Sequence, residues 1–74
     1  MEGTNAHAEG NLTKAIGLNS HAEGRETSAN GVYSHAEGYK TIASGKASHA
    51  GGYSINNSII DASGIGSFVH GYAY

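Results

Sequence analysis

The stretch Ser34-His35-Ala36-Glu37-Gly38-Tyr39-Lys40-Thr41-Ile42-Ala43-Ser44-Gly45-Lys46-Ala47-Ser48 decides the fold, because it holds one complete unit of a repeat that runs through most of the chain. Its tag, Ser-His-Ala-Glu-Gly, occurs at Ser20–Gly24 and Ser34–Gly38, with variants at Ala6–Gly10 and Ser48–Gly52. The histidines His7, His21, His35 and His49 therefore recur every 14 residues. Self-similarity at a fixed period is the signature of a stacked, quasi-one-dimensional structure.

Each 14-residue unit divides into two half-units of the form Ser/Thr-x-Ala-x-Gly-x-x, with glycines at 10, 17, 24, 31, 38, 45 and 52. A period of seven also describes a coiled coil, but that structure needs two large apolar residues per heptad. A recurrent glycine would weaken a helix by about 1 kcal/mol each time. Alternation fits better. Ser/Thr, Ala and Gly at alternate positions place three small side chains on one face of a five-residue strand, and the last two residues of the half-unit turn the chain. Two short strands and two corners per unit describe one flattened coil of a β-solenoid, with neighbouring coils about 4.8 Å apart. The small-residue interior is expected at Ala8, Gly10, Ala22, Gly24, Ala36, Gly38, Ala43, Gly45, Ala50 and Gly52.

The half-units are of two kinds. One carries a constant pair on its other face, His7/Glu9, His21/Glu23 and His35/Glu37, then His49/Gly51, whereas the alternate kind drifts through Lys14/Ile16, Ser28/Asn30 and Ile42/Ser44. A drifting face reads as solvated. A face that repeats the same pair reads as packed against something that also repeats, most simply another copy of the chain about a symmetry axis. After Gly52 the register breaks: Ala43–Tyr53 aligns with Ala62–Tyr72 at an offset of 19, with six identical residues in eleven. That alignment implies a five-residue insertion within Tyr53–Asp61 and puts Phe68 and His70 in the histidine and glutamate rows. The expected organisation is regular repeats over 1–54, an insertion at 55–61 and a terminal coil or cap at 62–74, thickened by Ile55, Ile59, Ile60, Ile65 and Val69. A repeat already in register at Gly3 and still running near Tyr72 suggests a segment of a longer chain.

Composition limits the alternatives. Seventy-four residues make one small domain, which ordinarily needs disulfides, metal or association for reinforcement. Cysteine is absent and the apolar residues are largely alanine, so association is the expected route. Four Lys and Arg at a net charge of −2 give no footprint for nucleic acid or an anionic membrane. No apolar run approaches the roughly 18 residues of a membrane span, and the first residues lack a signal-peptide pattern.

At Ser34–Gly38, Thr41–Gly45 and Ser48–Gly52 the sequence resembles the YadA-type head repeat of trimeric autotransporter adhesins, related versions of which occur in phage tail fibres. The resemblance covers roughly residues 3–72. It implies an all-β, left-handed parallel β-roll with coils of about 14 residues, assembled as a homotrimer. It further implies a place outside the cell, on a bacterial surface or a virion, and a structural and adhesive role toward a host surface protein or glycan. Adhesin heads commonly carry apolar residues where this chain has His and Glu. By the resemblance, His7, Glu9, His21, Glu23, His35, Glu37, His49, Phe68 and His70 line the trimer axis as a polar ladder.

Chemistry in the ladder has two readings. His-x-Glu on a strand puts both side chains on one face, so the rows serve as a hydrogen-bonded interface or, alternatively, make trimerisation responsive to metal or protons. The interface is the expected role, with no metal or cofactor. Tyr39, Tyr53 and Tyr72 share one corner and form either a packing ladder or a ligand surface. An enzyme is not expected. There is no cysteine nucleophile, and Ser34 and His35 are strand neighbours facing opposite ways. The match of His21-Ala22-Glu23 to the zinc-deaminase motif lacks its Pro-Cys-x-x-Cys partner. A threonine row, Thr13, Thr27 and Thr41, belongs to the inward face and so argues against ice binding.

Overall fold

In the computed structural model, residues 3–54 and 60–73 are described, with side chains described through residue 71. They form nine strands: β1 (His7–Asn11), β2 (Lys14–Ala15), β3 (His21–Arg25), β4 (Ser28–Ala29), β5 (His35–Ala36), β6 (Thr41–Ala43), β7 (His49–Ser54), β8 (Ile60–Ala62) and β9 (Phe68–Ala73). Odd-numbered strands pair in the order β1-β3-β5-β7-β9, and even-numbered strands in the order β2-β4-β6-β8. All pairing is parallel. Among the described residues there is no helix, and the chain alternates between the two sheets. Several strands are shorter than the five residues expected; β2, β4 and β5 have two each.

Register follows the repeat. His7 pairs with His21, His21 with His35 and His35 with His49, an offset of 14. His49 then pairs with Phe68 and Thr41 with Ile60, both at 19. Because Ser54 still pairs with Ala73 and Ile60 begins β8, the five extra residues fall between Ser54 and Ile60, outside the described residues. Ile60 and Asp61, expected in the insertion, belong instead to the repeat. Ile60 takes the inward position held by Thr41 one unit earlier and is 5% exposed.

The interior is as small as the alternation demands. Ala15, Ala22, Ala29, Ala36, Ala43, Ala50 and Ala62 are fully buried, and Ser20, Thr27, Ser34, Thr41 and Ser48 are nearly so. Ala8, in the first unit, is only partly buried against this core. The hydroxyls of these buried rows meet backbone carbonyls, whereas the buried Ser67 hydroxyl of the terminal unit has no hydrogen-bond partner among the described residues. Ser20, Ser34 and Ser48 donate to Gly17, Gly31 and Gly45 oxygens at 2.6–2.7 Å, and Thr27 and Thr41 donate to Glu23 and Glu37 backbone oxygens at 3.1 and 2.8 Å. Satisfied in this way, a polar row tolerates burial. Of the bulky residues expected to thicken the terminal unit, Ile60 is buried, Ile65 and Val69 are exposed, and Ile55 and Ile59 lie outside the described residues.

Both glycine rows lie against the backbone of the next unit too closely for a Cβ, but they differ in burial and backbone conformation. Gly17, Gly31 and Gly45 are buried, as an inward small residue should be. Gly10, Gly24 and Gly38 are exposed and, with Gly52, adopt φ values of 100–120° that favour glycine. At Gly38 a Cβ would lie 2.1 Å from the Gly52 carbonyl oxygen of the next unit. This row is therefore an exposed corner rather than part of the filled interior.

A second corner feature recurs at the last residue of most half-units, though not at Ser54 or Ala73. Asn5, Leu12, Asn19, Glu26, Tyr33, Lys40 and Ala47 all have φ between 56 and 62°, and Gly66 takes the same place at 69°. From Asn19 onward the N–H of each donates to the preceding unit, Asn19 to Thr4, Glu26 to Asn11, Tyr33 to Leu18, Lys40 to Arg25, Ala47 to Val32 and Gly66 to Lys46, at 2.7–3.0 Å. The hydrogen bonds hold non-glycine residues in a conformation costing about 1–2 kcal/mol each. Two substitutions separate the corners. Ala47→Gly relieves that cost and should raise stability by about 0.5–1 kcal/mol, whereas Gly38→Ala adds both strain and a backbone clash and should lower it by more than about 3 kcal/mol. Urea denaturation of the two variants measures both effects.

Candidate functional site

The outward face of the odd-numbered sheet carries the ladder. With alanine facing inward, the strand alternation sends His7, His21, His35, His49 and Phe68 outward, and in-register parallel pairing stacks each ring on the next. Ring centroids are 4.7–4.9 Å apart, and His21 and His35 are within 3° of parallel. Two residues further on, the glutamates lie on the same face. His7 Nε2 is 2.6 Å from Glu9 Oε1, His21 Nε2 is 3.2 Å from Glu23 Oε1 and His35 Nε2 is 3.4 Å from Glu37 Oε1. The pairs become less exposed along the row, from 57 and 63% for His7 and Glu9 to 35 and 32% for His35 and Glu37.

The regularity changes at the fourth unit, where Gly51 stands in the glutamate row and His70 follows it in β9. A Cβ at position 51 would lie 2.7 Å from His70 Cδ2 and 3.1 Å from Glu37 Cγ, so the glycine makes room for the His70 ring to approach Glu37. His49, without a glutamate in its own unit, places Nε2 3.5 Å from Glu37 Oε2, and His70 Nε2 is 3.7 Å from the same oxygen. The His49 nitrogen is buried and makes no hydrogen bond, so its link to Glu37 is charge attraction alone. Glu37 is thus the hub of three imidazoles. Burial alone would raise its carboxyl, but a hydrogen bond with His35, one shared with the Glu23 side chain, and the charges of His35 and His49 hold it below its ordinary value of 4.5.

The glutamate row, with Gly24, Gly38, Gly52 and His70, lines an open groove of about 460 Å³. Two donor sets on this face lie within ion-ligating reach, His7/Glu9/His21 and His21/Glu23/His35, with all donor atoms of a set within 4.8 Å of one another. Ser20, Ser34 and Ser48, the chain neighbours of the histidines, point inward and are engaged by corner carbonyls.

The tyrosine corner also forms a row. Tyr39 and Tyr53 rings are 5.2 Å apart and tilted, with Arg25 Cζ and Lys40 Nζ 5.8 and 5.4 Å from the Tyr39 ring centre. Tyr53 is 47% exposed. Tyr72 pairs in register with Tyr53, and its side chain lies outside the described residues. Sequence reasoning did not include Arg25, which occupies the tyrosine row one unit earlier and bridges in parallel to Tyr39. Nor did it join Gly51 to His70. The available signal was that both depart from the glutamate row at positions paired by the 19-residue offset.

No family model, curated protein or solved structure matches the chain. The function therefore rests on this geometry. Because the folded Glu37 carboxyl ionises below its unfolded value, its stabilising effect is complete above about pH 4.5 and is lost as pH falls through the lowered folded value. Melting temperatures measured from pH 6 to about 3 should fall more steeply for the native chain than for Glu37→Gln.

Proposed function

We propose that the chain is a β-solenoid of fourteen-residue coils, a left-handed β-roll that associates as a homotrimer and serves as a structural and adhesive segment of an extracellular fibre. A bacterial surface adhesin and a phage tail fibre are the two settings that its repeat suggests. The observation that carries the proposal is the distribution of side-chain size. Among the described residues the largest fully buried side chains are Thr27, Thr41, Ser48 and Ser54, whereas Leu12, Tyr33, Tyr53, Ile65 and Phe68 are 47–84% exposed. A single chain thus leaves these large apolar side chains in water, and association between copies is the route by which that area becomes buried.

The ladder face is the favoured contact. Its rows repeat without drift through three units, and the same row ends in Phe68, an aromatic ring 70% exposed. The outer row of the other sheet varies through Lys14, Ser28, Ile42 and Asp61 and suits a solvated exterior. Around an axis, copies of the ladder would exchange hydrogen bonds between imidazole and carboxylate. The tyrosine corner then faces outward as a repeated surface for a host glycan or protein, where rigid rings give contact area at low entropic cost and repetition gives avidity.

Sedimentation equilibrium with native mass measurement tests the assembly. The expected mass is three chains, and the paired substitution Phe68→Glu with His35→Glu should shift it toward one. A folded monomer of the native chain would sink the proposal. Replacing Tyr39 and Tyr53 by alanine should leave the trimer intact while abolishing retention on a panel of immobilised glycans and host surface proteins.

A further inference from the structure

We infer that His21, Glu23 and His35 form a binding site for one divalent transition-metal ion of the zinc class. Two imidazole nitrogens and one carboxylate oxygen are the donors that zinc, nickel and copper accept, whereas calcium and magnesium prefer oxygen alone. The three side chains lie on one face of adjacent strands β3 and β5, and their donor atoms fall within 4.8 Å of one another. His21 Nε2 and Glu23 Oε1 are 3.2 Å apart. Two ligands of a tetrahedral zinc, each bound at about 2.0–2.1 Å, stand about 3.3 Å apart, so this pair already has the required spacing.

The neighbouring set, His7/Glu9/His21, is the weaker one. At 2.6 Å its His7–Glu9 contact is too short for two ligands of one ion and is instead a direct hydrogen bond, and both side chains are more than half exposed. His21 belongs to both sets, so filling the inner one removes the donor that the outer one needs. Among the described residues no lysine or arginine forms an ion pair with Glu9, Glu23 or Glu37, which leaves the row without a fixed competing cation.

Recruiting His35 requires that it leave Glu37, 3.4 Å away. Glu37 is not thereby left without an imidazole neighbour, because His49 and His70 stand 3.5 and 3.7 Å from its other oxygen, too far for direct hydrogen bonds but near enough for electrostatic attraction when protonated. The departure from the repeat at Gly51 and His70 thereby frees one histidine of the regular row for a ligand. In the single chain, side chains of the set are 35–39% exposed, so an ion reaches it from solvent without any opening of the sheet. All three donors come from one chain, so the site is complete before copies associate, and association through the ladder face would then cover it.

Calorimetric titration of the full chain with Zn²⁺, alongside Mg²⁺, tests the site. Expected is saturable Zn²⁺ binding near one ion per chain, with an affinity in the micromolar range, and no heat from Mg²⁺. His21→Asn, Glu23→Gln and His35→Asn should each weaken binding at least about tenfold, while His7→Asn should leave it within about twofold. The melting temperature should rise with Zn²⁺ and return on adding chelator. Should His21→Asn lose its β circular-dichroism signal, the isosteric Glu23→Gln carries the comparison. Absence of saturable binding below about 1 mM Zn²⁺ overturns the inference, as does a His7→Asn loss equal to that of His35→Asn. Mass measured on the same samples separates a loss of association from a loss of metal.

Discussion

The approach of one unit to the next at the glycine corner governs everything else in this molecule. The Gly52 carbonyl oxygen lies where any side chain at position 38 would begin, and the same contact recurs between Gly10 and Gly24 and between Gly24 and Gly38. Units this close leave no freedom of register, and with register fixed, like residues must fall on like. Alanine on alanine fills the interior, and histidine on histidine forms the outer wall. The chemistry of the ladder thus descends from a steric constraint at the corner, one residue beyond each glutamate.

Stacking identical ionisable residues at strand spacing is ordinarily unfavourable, since like charges directly opposite repel. Here each row of one kind lies beside a row of the other, so an imidazole meets a carboxylate two residues along the strand before it meets its own kind above. The compensation is local and uneven: the outermost pair makes a short hydrogen bond in water, while the innermost carboxylate is shared among three imidazoles. The sharing at Glu37 arises from one break in the repeat, at Gly51 and His70, and it distinguishes a position that the tag alone makes equivalent to the others.

Much of this was legible in the sequence, for identifiable reasons. A side-chain period of two puts Ser/Thr and Ala on one face, and the burial of Ser34, Ala36, Thr41 and Ala43 follows directly from it. The 14-residue period and the 19-residue step predicted the pairing, down to His49 with Phe68. The corners were not legible. Leu12, Glu26, Tyr33, Lys40 and Ala47 have no intrinsic preference for positive φ, and they adopt it because each N–H, save that of Leu12, reaches a carbonyl of the preceding unit. Smallness also hid two settings: Gly45 and Gly38 both permit close approach to the next unit, yet Gly45 is buried at ordinary φ whereas Gly38 is exposed at positive φ. Side-chain reach across units, as in His70 to Glu37, depends on an absent Cβ, which a one-dimensional pattern does not display.

The five-residue excess between Ser54 and Ile60 has a wider meaning for how such a chain can vary. Both sheets resume in register on its far side, with Thr41 on Ile60 and His49 on Phe68, so the pairing takes no account of how many residues a corner contains. Within the strands, by contrast, a single added residue would turn every inward alanine outward. Length can therefore change between Ser54 and Ile60 without loss of register on either sheet. A lineage built on this plan can lengthen the stack by duplication and diversify its surface by loop insertion, with neither kind of change disturbing the other.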